Sequence, residues 1–347
     1  MDHLIVDALR DLLADQCTPG AVRAIESEAA SADAAGATGQ NALKLWQAIS
    51  ESGFADLLVA EEAGGAGLAL RDVFAVLELL GQHALPLPLA ETLLARAWCA
   101  QQGVAAPDGV NGLVAFAPQA VLSAQELLAP AVRSARCAGW VLAAAGGEWR
   151  LLPVAQAQAA PGIFALDAEL RWPRAAWDAA PVLGAAADLH TAQAGLYAAL
   201  LAGALQNVFH RTLQFANERQ QFGRAIGKFQ AIQHELSIMA EHVSSARMAA
   251  QIGCESADLR FDPLKVAVAK ARASEAAVEV ASLAHSIHGA IGFTAEFDLQ
   301  LYTRRLHLWR QTAGAESFWQ LRAGQALVAH PGLTLDLVRQ VADRIAA

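Results

Sequence analysis

Cysteine is scarce in this chain. The four present in 347 residues, Cys17, Cys99, Cys137 and Cys254, lie far apart, with no CxxC pair and no Cys/His spacing. That excludes a disulfide framework and a zinc ribbon, and leaves reduced thiols in a cytoplasm as the expectation. Basic residues are outnumbered, 25 Lys and Arg against 34 Asp and Glu, giving a net charge of -9 and a pI near 5.6. A nucleic acid partner needs a broad basic face, so none is expected. Long apolar runs are missing too. GLYAALLAGAL, from Gly195 to Leu205, is the nearest to a membrane span, and it stops short of the roughly 18 residues that a span requires. The opening MDHLIVDALRDLLAD carries acids where a secretory signal needs a basic end, so export is not expected either.

What the chain has in quantity is apolar surface. Hydrophobic residues make up 55% and the mean hydropathy is +0.30, which supports a sizeable core and excludes wholesale disorder. The length suits two or three domains or one composite unit.

Periodicity divides the chain into three regions, a mainly α architecture with a small central β region. Residues 1–108 read as an N-terminal helical domain, with KLWQAISESGF and DVFAVLELLGQHAL at helical spacing. Between them EEAGGAGLAL is a glycine-rich turn, and after Pro86 and Pro88 the stretch ETLLARAWCA resumes a helix. Residues 109–185 read as a reduced middle β domain of short strands, GLVAFA, GWVLAAA and EWRLLPV, punctuated by prolines. Residues 186–347 read as a four-helix bundle. One stripe is Leu189, Leu196, Leu200, Ala204 and Val208; a second is Ile232, Leu236, Met239, Val243 and Ala246. Asp262-Pro263 is a cap followed by proline at the first helical position, opening a third helix with Val266, Ala269, Ala273, Ala277, Val280, Ala284 and Ile287 on one side. These seams serve core and subunit contact, so an oligomer is expected.

Within the bundle, NERQQFGRAIGKFQAIQHELSIMAEH places Arg219, Arg224 and Lys228 around a break at Phe222-Gly223. An arginine at a helix junction offers a planar fork of donors suited to carboxylate or pyrophosphate. On spacing alone a solvated basic loop is an equal reading.

ERQQFGRAIGKFQAIQHELSIMA, the stretch LWQAISESGFADLLVAEEAGGAGLALRDVFAVLELLG and the stretch AKARASEAAVEVASLAHSIHGAIGFTAEFDLQLYTRR occur in the order helical, β, helical. Together they resemble the acyl-CoA dehydrogenase family, with its EExGGxG turn, RxxFG junction and HGGxGF turn. The resemblance implies FAD, an acyl-CoA thioester losing a proton and a hydride, and an arginine reaching the FAD pyrophosphate of a neighbouring chain. It assigns Arg219 to pyrophosphate, with Gln221, Phe222, Phe229 and Gln230 beside the cofactor and Ser286, His288, Gly289 and Ala290 at the second turn.

The same resemblance exposes a gap. Counting from Arg304-Arg305, the family's glutamate-glycine pair falls on Ala313-Gly314, and a methyl group accepts no proton. The alternative position for the glutamate falls near Gln193-Ala194, also neutral. Positioned proton transfer is worth about 10²–10⁴ in rate. Glu316, three residues beyond Ala313, is the one relocated candidate. Ser286, Ala290 and Ala315 also depart from the family pattern, and the β region lacks the family's flavin-holding threonine and tryptophan segments; Trp140, Trp149, Trp172 and Trp177 read as core or interface residues. The expectation is a cytoplasmic, base-lacking subunit of a heteromeric, α2β2-like enzyme such as the steroid side-chain dehydrogenases, completing the FAD site of a catalytic partner that holds the acyl-CoA. Two rivals stay open: an active homo-oligomer using Glu316, and a non-enzymatic binder of the same fold.

Overall fold

A computed structural model describes residues 2–31, 38–183 and 188–342, and the expected boundary between residues 185 and 186 lies outside the described residues. Contacts divide the chain into two compact units. One comprises Met1–Val73, Leu85–Gln193 and Ala257–Arg260; the other comprises Phe74–Ala84, Ala194–Ser256 and Phe261–Ala347.

The first unit opens with helices α1 (Asp2–Gln16), α2 (Pro19–Ser31) and α3 (Gln40–Glu51). Helix α3 buries Ala42, Leu45, Trp46 and Ile49, spaced three or four residues apart on one face. The Trp46 indole donates to the Gly109 carbonyl at 2.9 Å. The glycine-rich turn needs its glycines: Gly64 and Gly67 have φ of +88° and +64°. A Cβ on Gly65 would lie 2.2 Å from the Val59 carbonyl oxygen.

Seven short strands follow α5 (Leu89–Gln101): β1 (Val114–Ala117), β2 (Val121–Leu122), β3 (Glu126–Val132), β4 (Trp140–Ala145), β5 (Glu148–Pro153), β6 (Gln158–Pro161) and β7 (Ala168–Pro173), then the short α6 (Arg174–Ala179). They form two sheets, ordered β1-β4-β5 and β2-β3-β7-β6. The β3–β7 register slips between Ala129 and Val132, where Pro130 has no N–H to give the ladder. Trp172 and Trp177 lie in the core of this sheet region with Leu127, Val141, Leu152 and Leu170. Trp149 is buried and packs on Trp98 at 4.8 Å, whereas Trp140 is half-buried.

The second unit is helical, with α4 (Phe74–Gln82), α7 (Leu189–Glu218), α8 (Gln230–Gly253), α9 (Pro263–His288), α10 (Leu299–Gln311), α11 (Glu316–Ala329) and α12 (Thr334–Ala342); the first turn of α7 belongs to the first unit. Helix α9 is the central rod. Its N-terminus is closed by Asp262, whose carboxylate accepts from the backbone N–H of Leu264 and Lys265 at 2.8 and 3.0 Å, with Pro263 next. Val266, Ala269, Ala273, Ala277, Val280, Ala284 and Ile287 are all buried along it. Helices α8, α10 and α11 pack against this rod.

Helix α4 belongs with these helices through a close crossing on α7. A Cβ on Gly203 would sit 1.8 Å from the Glu78 carbonyl oxygen, and one on Gly81 would sit 2.0 Å from that of Leu200. Only two glycines let the backbones approach so closely. Gly203→Ala is expected to lower stability by about 1–3 kcal/mol or more, because backbone must move; a fall in melting temperature checks it, and an unchanged one would mean the helices part without cost.

Candidate functional site

The basic segment predicted to break between two helices is a β-hairpin. Helix α7 ends at Glu218, and two two-residue strands, β8 (Gln220–Gln221) and β9 (Arg224–Ala225), pair antiparallel, with Gln220 opposite Ala225 and Gln221 opposite Arg224. Phe222 and Gly223 make the connection with φ of +51° and +80°, the backbone of a tight hairpin turn. A phenylalanine in that region is strained, and the residue is 91% exposed. The Arg219 N–H donates to the Phe215 carbonyl and its carbonyl accepts from the Ile226 N–H, both at 2.8 Å, so the backbone under Arg219 is fixed from both sides.

Two rings brace the hairpin. The Arg224 guanidinium lies 4.2 Å from the centre of the Phe229 ring, and Phe222 meets Phe229 edge-on at 6.2 Å. Phe229 is also the residue before α8, which starts without a side-chain cap. Its first N–H groups, from Gln230 onward, are therefore open donors at the positive end of the helix. Arg219 and Lys228 are exposed, and among the described residues no acid takes either cation. Cations, an open helix start and an aromatic face lie together here, the kinds of group with which helix starts bind anions.

The second turn lies at the end of α9. Ser286, Gly289 and Ala290 are exposed there. Gly289 has φ 64° and ψ -147°, a conformation open to glycine alone, whereas Ala290 has no positive φ. That accounts for an alanine where the family pattern has a second glycine. His288 departs from the expectation that it faces a cofactor. Its ring is buried between Phe215 at 4.2 Å and Phe297 at 5.2 Å, and its Nδ1 is bonded to the Ala284 carbonyl at 2.7 Å. Burial lowers its pKa, so a neutral ring packs as a core aromatic. Through Phe215, four residues before Arg219, His288 ties the two turns together.

The residues expected near a proton acceptor lie elsewhere. Ala313 is buried with φ +52°, and Gly314 follows at +95°. Glu316 opens α11 and is gripped by Arg310, Nε at 3.2 Å and the terminal nitrogen at 2.5 Å. The Arg310 hydrogen bond holds its pKa below the usual carboxylate value, which makes it a weaker base. Beneath this turn Lys270, on α9, donates to the Gly314 carbonyl at 2.9 Å. Lys270 and His288 are eighteen residues apart on one straight run of helix, roughly 27 Å at 1.5 Å per residue. The hairpin and the Ala313 turn thus sit toward opposite ends of α9.

Two ionisable groups were not singled out by the sequence. Glu91, on α5, is 1% exposed; its carboxyl accepts from the Phe116 N–H at 2.8 Å and from the Gln193 amide at 2.7 Å. Thr92 accepts from the Val114 N–H at 3.0 Å. Together they cover the open edge of β1, whose outward N–H groups have no strand beside them. Desolvation raises the Glu91 pKa to about 8. Gln193, the alternative base position, is thereby committed to a buried amide–carboxyl pair. Lys270 is the other group, its pKa lowered by burial to about 7. An acid inside the apolar run LPLAETLL was the available signal for the first; Lys270 gave none.

Comparison with known proteins adds ancestry. The family description "Acyl-CoA dehydrogenase, C-terminal domain" matches residues 189–328. The chain is 30% identical over 306 residues to acyl-CoA dehydrogenase IpdE2 of Mycobacterium tuberculosis, covering 88% of this chain and 90% of that protein. It is 33% identical over 321 residues to IpdE2 of Mycolicibacterium smegmatis, covering 90% and 94%. Among solved structures, the ChsE4-ChsE5 complex of M. tuberculosis superposes with a TM-score of 0.80 at 21% identity, over 95% of this chain and 98% of that one. A variant of the Tcur3481-Tcur3483 steroid ACAD gives 0.77 at 23% identity, over 94% and 99%. The fold is the one those structures share, and identity of this level over nine-tenths of the length makes the chain a member of the acyl-CoA dehydrogenase family.

Proposed function

We propose that this chain is the base-lacking subunit of an FAD-dependent acyl-CoA dehydrogenase, binding through its hairpin the diphosphate of a cofactor held mainly by a catalytic partner. The observation that carries this is Ala313, which stands in the turn at one end of α9 where the family resemblance expects a carboxylate, while the hairpin toward the other end keeps its exposed cations. A self-sufficient homo-oligomer would share that separation, because its arginine also serves a neighbouring chain; what it would not share is the missing carboxylate.

The donor set fits the group. Arg219 supplies a fork of charged N–H donors, Lys228 a second cation, and the start of α8 open backbone N–H groups for phosphate oxygens. Phe222 and Phe229 offer flat apolar surface, and Gln221 and Gln230 polar edges. When bound, FAD supplies the hydride acceptor for desaturation of the thioester. This chain's own share is to bind and orient the diphosphate and to exclude water; it moves no proton. The pairing of Glu316 with Arg310, which lowers its pKa, supports leaving it out of that task. The likeness to the Tcur3481-Tcur3483 steroid ACAD supports a steroid-type acyl-CoA as substrate class, and the likeness to the ChsE4-ChsE5 complex supports a homologous subunit as partner.

The test is reconstitution of this chain alone and with the family member encoded beside it. The pair is expected to retain stoichiometric flavin and turn over acyl-CoA, while the single chain does neither. Full flavin content and turnover by the chain alone would overturn the proposal.

A further inference from the structure

The turn at residues 312–315 holds a shape that its own residues do not favour. Ala313, with φ +52°, stands in the left-handed region that costs any residue with a Cβ, and a methyl group gains nothing there. Two side-chain donors grip consecutive carbonyls of the turn. The Trp319 indole N–H donates to the Ala313 carbonyl at 2.8 Å. Lys270 donates to the Gly314 carbonyl at 2.9 Å, to the Arg310 carbonyl at the end of α10 at 2.7 Å, and to the Ser274 hydroxyl at 3.1 Å. Lys270 is 0% exposed, and its three N–H donors meet three oxygens. An ammonium persists at such depth only where fixed dipoles replace its water. Of the charges acting on it, Arg310 on α10 opposes the proton and Glu316 on α11 favours it.

We propose that Lys270 is the positioning residue of this turn, clamping the carbonyls of Arg310 and Gly314 so that Ala313 is held in left-handed form and residues 312–315 keep a fixed face toward the thioester site of the assembled enzyme. The last part rests on the function proposed above; the clamp itself does not. The turn is thus maintained as a mount although the side chain it carries has no chemistry of its own.

Lys270→Met keeps the volume and removes the donors. In the full-length chain, without flavin, the Trp319 indole N–H (assigned with Trp319→Phe) is expected to exchange with solvent at least about tenfold faster, because the Ala313 carbonyl is released. Adding Ala313→Gly to that variant is expected to restore most of the protection, since glycine takes φ +52° freely. A merely space-filling Lys270 would leave indole protection unchanged in the single variant, or make the double variant worse than the single, and either result overturns the proposal. In the assembled enzyme kcat is expected to fall about 10- to 100-fold with KM within about twofold, as for a misplaced site wall. An assembly that is inactive with or without the substitution condemns the proposed function, while indole exchange still decides the clamp. Should Lys270→Met not fold, Ala313→Gly alone decides it. That variant is expected to melt higher than wild type if the turn is held against its preference; a lower melting temperature overturns the proposal.

Discussion

Replacing Arg219 with alanine is expected to weaken FAD retention by the assembled enzyme by roughly 30- to 1,000-fold while leaving the fold untouched. The side chain is exposed and no acid among the described residues pairs with it, so truncation removes no structural contact of this chain. Loss of a forked, charge-assisted pair of hydrogen bonds to a diphosphate corresponds to about 2–4 kcal/mol. Lysine at the same place keeps the charge and loses the fork, so Arg219→Lys is expected to fall between alanine and wild type. Flavin absorbance of the complex after dialysis, with the melting temperature as control, reads both. Wild-type retention in the alanine variant would show that the diphosphate is held elsewhere and would leave the hairpin without a ligand.

A second large effect is expected from Glu91, in stability rather than binding. Its pKa is raised from 4.5 to about 8, chiefly by desolvation. In the unfolded chain the carboxyl releases its proton near 4.5; in the folded chain it keeps it. The contribution is therefore fully present below pH 4.5 and is lost as pH rises through 8. Each pKa unit corresponds to about 1.4 kcal/mol, so the full swing is on the order of 5 kcal/mol. Glu91→Gln keeps an acceptor for the Phe116 N–H and an amide toward Gln193 but has no proton to lose. The variant's advantage over wild type is expected to widen steadily between pH 5 and pH 8, read as the difference in melting temperature. Taking the difference cancels Lys270, whose lowered pKa works in the opposite direction between about pH 7 and 10.5. A constant difference would mean that Glu91 titrates as an ordinary surface acid.

The sequence announced the helical regions because long helices repeat one pattern many times. Asp262-Pro263 marked the start of α9, and its buried alanines and valines followed at every third or fourth place. The acyl-CoA dehydrogenase architecture was legible for another reason, the resemblance of the glycine-rich turn, the Arg219 stretch and the His288-Gly289 turn to that family's motifs. The hairpin at Arg219 was not, because strands of two residues are too short to show a period; only Phe222-Gly223 hinted at a break. Glu91 escaped notice because a lone acid in a helix ordinarily faces water, whereas α5 is buried on nearly all sides. Lys270 was hidden likewise: KVAVAKARASE reads as a helix with a charged face, yet Lys265 and Lys270 are both buried. Burial from every direction removes the contrast on which periodicity depends. Nor does any linear pattern say that Gly81 meets α7; chain order alone grouped α4 with the N-terminal helices.

That crossing also sets an order of events during synthesis. The apolar helix carrying Phe74, Val76, Leu77, Leu79 and Leu80 leaves the ribosome about 120 residues before the glycine it must meet. At about 5–20 residues per second, the delay is roughly 6–24 s. For that interval α4 lacks the α7 surface it meets in the fold, so nascent chains that end before α7 are expected to expose these apolar side chains and to be prone to aggregation.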